Sequence, residues 1–241
     1  MDYDERQSLL RERYPARACR IKIGKTGPHR FGGTRRDLKI TGVKLAKPIH
    51  HFLTLDTRDP LCPVESDVFT KLPLLYPLLY GAGGGEIQYT VVSNTEIAVH
   101  HLSKCYPDDP YIESDALPEA RATLHEFTYA QERLLCALAG SFRRRLSAAD
   151  RKILKACEDG EVWRAGGYFE TCQGRIWSLC HNPRCDYRQD CELKSPIAPI
   201  ALISASTRQL GEIWGQYTSD VEFAFGYCPE CLAIHAENRC T

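Results

Sequence analysis

Short apolar runs broken by glycine and proline dominate the first hundred residues, and they predict strands. Runs around Arg20 to Ile23, Leu38 to Val43 and Ile49 to Leu55 are separated by Gly24, Gly27-Pro28, Gly32-Gly33 and Lys47-Pro48. The clearest hairpin joins Glu86 to Val92 with Glu96 to Leu102 through Ser93-Asn94, residue types that tolerate turn conformations. Before these strands, Asp2 to Arg13 reads as a short helix with acids first and arginines last, stopped at Tyr14-Pro15.

The period changes in the middle of the chain. Leu117, Ala120, Leu124, Phe127, Leu134 and Leu138 are spaced as one face of a helix, with Pro118 suited to its first turn and Gly140 to its end. Ser147 and Asp150 resemble a capping box, so a second helix is expected through Ile153, Leu154 and Cys157 to a stop at Gly160. Strand signals return at Phe169 to Leu179, Ile197 to Ser204 and Val221 to Tyr227. The expected class is α+β: a mostly antiparallel sheet, an inserted helical hairpin and a C-terminal element like a zinc ribbon. Residues 1–105 form the first β-rich region, 106–160 the helical hairpin and 161–241 the second β region, all in one compact unit.

Composition narrows the class without naming an activity. A chain of 241 residues that is 43% hydrophobic can bury a full core, which excludes disorder. The net charge is zero, so no global electrostatic argument favours nucleic acid or acidic membranes. Residues 1–47 nevertheless carry 13 Lys and Arg against 5 Asp and Glu. The first residues lack the apolar core of a secretory signal, and no stretch approaches the roughly 18 apolar residues of a membrane span. A cytoplasmic location is expected. Twelve cysteines in a reducing compartment call for metal before disulfides.

Two cysteine pairs have metal-ligand spacing. Cys228-Pro-Glu-Cys231 is a CxxC turn after a strand-like run, and Cys180-His-Asn-Pro-Arg-Cys185 is a wider pair centred on a turn-forming Asn-Pro. Four thiolates make a closed tetrahedral site that holds structure and leaves no position for water, so a structural Zn2+ is expected. Cys191 is the strongest substitute ligand, followed by Cys240, His181 and His235. Cys19, Cys136 and Cys157 read as small buried hydrophobes. A redox CxxC would need a thioredoxin-like βαβ context, which is missing here.

The remaining chemistry lies in two histidine pairs. His50-His51 and His100-His101 fall on predicted strands, where one imidazole of each pair can face a common cleft and, with Glu96 or Cys105, form an open catalytic metal site. Hydrogen-bonded or surface histidines are the plainer alternative. Gly24-Lys25-Thr26 lacks the earlier glycine of a phosphate loop, and Gly81-Ala-Gly-Gly-Gly85 precedes a strand and not a helix. Arg35, Arg36 and Arg143, Arg144, Arg145 are the candidate phosphate contacts of a nucleic-acid-binding surface.

Arg30-Phe-Gly-Gly33, Gly166-Gly-Tyr168 with Gln173, the cysteine cluster before Pro196 to Ile203, and Phe225-Gly-Tyr-Cys-Pro-Glu-Cys231 together resemble the YwqG-like family of uncharacterised bacterial proteins. The resemblance covers mainly residues 166–241, with Phe169 where the family carries proline. It implies an α+β fold with cysteine pairs suited to zinc, and it implies no activity. The expected function is a non-enzymatic protein-interaction module braced by zinc, with an unidentified protein partner. A nucleic-acid-binding zinc ribbon and a metal-dependent hydrolase using the histidine pairs are the alternatives.

Overall fold

The computed structural model describes residues 17–80, 85–103, 114, 116–139, 147–157, 163–167, 180–185, 197–204, 206–207, 211–212 and 221–240. The expected helix at Asp2 to Arg13, the strand at Phe169 to Leu179, Cys105, Cys191 and Arg143 to Arg145 lie outside the described residues.

The chain is mostly β-sheet, with two helices among the described residues, compatible with an α+β class. Strands β1 (Cys19–Gly24), β2 (His29–Phe31), β3 (Lys39–Thr41), β4 (His50–Asp56) and β5 (Lys71–Tyr76) come first. The hairpin β6 (Glu86–Ser93) and β7 (Glu96–Leu102) follows, then β8 (Ala120–Glu126). Helices α1 (Tyr129–Ala139) and α2 (Ala148–Cys157) pack on each other. The strands resume with β9 (Arg164–Ala165), β10 (Ala198–Ser204), the short pair β11 (Ser206–Thr207) and β12 (Gly211–Glu212), β13 (Val221–Tyr227) and β14 (Ile234–Cys240).

Twelve of these strands join one sheet in the order β3-β7-β6-β14-β13-β10-β9-β1-β8-β2-β4-β5. Neighbours are antiparallel except β3 and β7. The order interleaves strands from both ends of the chain, so the two β-rich regions share one sheet. The sheet rolls over on itself, and β5 comes to rest against β14 and β6. The core is aromatic where β4 and β5 face β13: Phe52 of β4 lies 4.9 Å from Phe223 and 5.6 Å from Phe225 of β13, and Tyr76 of β5 lies 4.5 Å from Phe223.

The segment from Leu117 differs from its expected helix. Ala120–Glu126 is a strand between β1 and β2, and helix begins only at Tyr129. The apolar positions fit both periods, because Ala122 and Leu124 are also two apart and face the core, while Arg121 and His125 point outward. Pairing on both edges decides in favour of the strand. Thr128 then caps α1: its N–H donates to Gln131 Oε1 at 2.9 Å and its hydroxyl accepts from Gln131 N–H at 3.3 Å. The reciprocal bonds between Ser147 and Asp150, both 3.0 Å, start α2 as expected.

Gly32 needs its missing side chain. It sits at φ 60°, and a Cβ there would lie 2.0 Å from the Pro118 carbonyl oxygen. Its own carbonyl accepts a 2.6 Å hydrogen bond from His51 Nδ1.

His51 gives the fold a pH dependence. Burial holds its imidazole down to about 4, against a smaller opposing contribution from the Gly32 carbonyl, with Arg35 and Arg30 adding to the depression and Asp37 resisting it. An unfolded histidine takes up its proton near 6.5, so the unfolded chain binds more protons between pH 6.5 and 4. Stability is therefore full above pH 6.5 and falls on acidification through that window, by on the order of 3 kcal/mol. Urea unfolding at pH 7 and pH 4.5 measures the loss. His51→Gln, which cannot titrate, is expected to flatten the profile, and a profile equally steep in that variant would assign the loss to other groups.

Candidate metal centre

The chain places two cysteine knuckles face to face. At the end of β13, Cys228 N–H donates to Ala233 O at 2.8 Å and Leu232 N–H donates to Cys228 O at 2.8 Å, which folds Cys228–Cys231 into a tight loop before β14. Leu232 completes that loop at φ 57°, the single non-glycine residue with positive φ among the described residues. In the other knuckle, Asn182 makes the turn. Its side-chain oxygen accepts from Arg184 N–H at 3.1 Å and its carbonyl from Cys185 N–H at 3.0 Å.

The four sulfurs meet in one cluster. Cys180 Sγ is 3.4 Å from Cys231 Sγ, Cys185 Sγ is 3.6 Å from Cys228 Sγ, and all four lie within 4.8 Å of one another. A tetrahedral ion with metal–sulfur bonds of about 2.3 Å sets its ligands roughly 3.8 Å apart, so the cluster needs only small adjustments to take one. Cys180, Cys185 and Cys228 are buried, Cys231 is half-buried, and Ala233 packs among them as a small core separate from that of the sheet. The crowded sulfurs share protons unequally. Hydrogen bonding to Cys228 and Cys231, with burial, pushes the Cys180 thiol up, whereas Cys180 and Cys228 stabilise Cys231 as the thiolate and pull it down. These four residues can hold a metal ion.

A scan of family models, a search of curated proteins and a search of solved structures each find no match to this chain. The geometry of the site therefore carries the functional argument.

The histidine pairs part company. His51 uses both ring nitrogens inside the fold, Nδ1 on Gly32 O at 2.6 Å and Nε2 on Thr54 Oγ1 at 2.7 Å. His50 Nε2 donates to Ser114 O at 2.6 Å. Neither belongs to a group of potential metal ligands among the described residues. His100 Nε2 bonds Thr90 Oγ1 at 2.8 Å. His101 turns to the other side of β7 and joins Glu86 and His181, whose ligand atoms all lie within 4.8 Å. His50, His51 and His100 thus follow the plainer, hydrogen-bonded alternative, and the cleft that one imidazole of each pair could share is not formed; His101 belongs to a group of different composition. Glu86 carries no spacing signal, and His181 is a candidate ligand in the sequence only as a substitute within the cysteine cluster.

Arg35 is also removed from the surface. Its side chain is 6% exposed, forks onto both carboxylate oxygens of Asp37 at 2.9 and 3.0 Å, and reaches Thr54 Oγ1 at 3.1 Å and Asn94 O at 3.0 Å. It ties the β3 approach to the β6–β7 turn, and four of its five N–H donors are used inside the fold; Arg36 remains exposed. Cys19 and Cys62 line a cleft of about 460 Å³ with Arg17, Leu61, Glu65 and Tyr227. Burial pushes their thiols up to about 12 and about 11, which makes both poor nucleophiles. No helix among the described residues is long and apolar enough to cross a membrane.

Proposed function

We propose that Cys180, Cys185, Cys228 and Cys231 hold one structural zinc ion in a zinc-ribbon-like clamp, and that the protein is a non-enzymatic, cytoplasmic module that binds another protein. The all-sulfur cluster carries this reading. Four thiolates fill a tetrahedral ion, so nothing is left to bind substrate or activate water, and the ion's effect is on folding. Sulfur-only tetrahedra suit zinc or iron, and metal analysis of the purified chain separates the two.

Leu232 is the surface feature that supports a protein contact. A left-handed leucine is strained by about 1–2 kcal/mol, and this one is 37% exposed at the tip of the knuckle. Strain of this kind concentrates where structure serves recognition. Leu232→Gly relieves the strain and removes the apolar contact. The variant is expected to be as stable as wild type or more so, while cross-linked capture of the wild-type partner falls at least several-fold. Equal capture by both proteins would remove Leu232 from the contact, and turnover of any substrate by the zinc-loaded chain would contradict the non-enzymatic reading.

A further inference from the structure

The segment that supplies Cys180 also lays His181 onto the face of the sheet. Its N–H donates to Gln88 Oε1 at 2.8 Å, and its ring stacks on His101 with centroids 4.3 Å apart and planes 15° from parallel. Strand register sets the other members. Gln88 of β6 is the direct partner of His101 on β7 and of His235 on β14, while Glu86, two residues before it, shares its face and pairs with Glu237. Gln88 Nε2 donates to Glu86 Oε1 at 2.9 Å, and His181 Nε2 stands 4.0 Å from the same oxygen.

We propose that Glu86, His101 and His181 form a second metal site once one imidazole turns out of the stack to aim its nitrogen at the ion, a site that takes a divalent transition ion such as zinc and keeps a coordination position open to solvent. Two imidazoles and a carboxylate are a borderline-soft ligand set that favours zinc and its neighbours over calcium or magnesium. Three protein ligands leave the fourth corner of a tetrahedron free, and the Glu86 and His181 side chains are 29% and 40% exposed, so water reaches it.

His235 supplies an independent observation. Its side chain is 2% exposed and neither ring nitrogen makes a hydrogen bond. A buried imidazole left without a hydrogen bond is costly, and the polar groups nearest to it are two carboxylates. Nδ1 lies 3.5 Å from Glu86 Oε1 and Nε2 lies 3.3 Å from Glu237 Oε2. His235 thus stands directly behind the Glu86 carboxylate, where a bond from Nδ1 would hold that carboxylate once an ion is bound, as outer groups do around metal ligands. The two sites are linked through one peptide bond. The sulfur cluster fixes Cys180, and with it the place of His181.

Cobalt titration of the full chain tests the second site apart from the first, because only the sulfur cluster gives intense thiolate-to-cobalt charge-transfer absorption. Wild type is expected to take two equivalents of Co2+, the first with that absorption and the second with only weak visible bands. His101→Ala and Glu86→Gln should each bind one equivalent and keep the full charge-transfer intensity, and Glu86→Gln guards against misfolding because it changes charge and little else. His125→Ala, at a histidine exposed on β8, should still bind two. Saturation of wild type at one equivalent, survival of the second equivalent in either variant, or its loss in His125→Ala would overturn the proposal.

Discussion

Replacing Cys228 with serine is expected to abolish metal binding at the sulfur cluster and to lower the melting temperature of the protein by roughly 10–20 °C. Apparent binding free energies of structural zinc are on the order of 10 kcal/mol, and they are folding free energy wherever the site does not exist in the unfolded chain. Here it cannot exist unfolded, because the pairs at 180–185 and 228–231 are brought together only by the chain's return through β10 and β13. Even half that energy, at about 2–4 °C per kcal/mol for a chain of this length, gives the stated shift. The damage should begin locally. The cysteines and Ala233 form their own small core, so the 180–185 segment and the β13–β14 loop lose protection against hydrogen exchange before the sheet does. Cys62→Ser, which changes a half-buried cysteine outside the cluster, is the control and should retain the metal. Equal melting of wild type and Cys228→Ser would deny the cluster a structural role.

The second large effect is expected at the seam of the rolled sheet. Phe52 is fully buried and touches Tyr76, Phe223 and Phe225, so it joins β4 to β5 and to β13 at once. Truncation of such a phenylalanine to alanine costs about 3–5 kcal/mol, from lost transfer energy and the cavity left behind. Phe52→Ala should fall near the top of that range, because the three rings around it are fixed on two strands, Tyr76 on β5 and Phe223 and Phe225 on β13, and cannot all close on the gap. The measurement is urea unfolding at fixed metal loading. An unchanged denaturant slope with a lower midpoint fits a stability loss in one cooperative unit, which the single twelve-stranded sheet implies. Tyr129→Ala, at a tyrosine 47% exposed, should change stability by less than about 0.5 kcal/mol. A loss at Phe52 as small as that at Tyr129 would mean that the packing of β4 and β5 on β13 does not depend on their aromatic contact.

What could be seen in the sequence follows from whether local pattern and tertiary environment agree. The β6–β7 hairpin, β4, β10 and β13 were legible because apolar runs with turn residues at their ends have one sensible conformation. Helix α2 was legible through its capping box. β8 was not, since the spacing of Leu117, Ala120, Leu124 and Phe127 is helical on paper and only the flanking strands β1 and β2 settle it. β5 hides behind Pro73, a residue that argues against a strand; it is tolerated because β5 is an edge strand in the ladder. β14 reads as polar because His235 and Glu237 lie on the face that also carries Glu86 and Gln88, while Ile234 and Ala236 face the core. The cysteine pairs announced themselves by spacing. The group of Glu86, His101 and His181 could not, because its members come from three separate segments and meet only through strand register and the sulfur clamp.

The structural ion is the claim on which the rest of the account leans most heavily. X-ray absorption at the zinc edge, on the full chain loaded with one equivalent of zinc, reads its ligands directly. The account predicts a first shell of four sulfur atoms at about 2.3 Å and no nitrogen or oxygen. A shell mixed with nitrogen or oxygen, or a chain that stays fully folded with zinc stripped by a chelator, would contradict it.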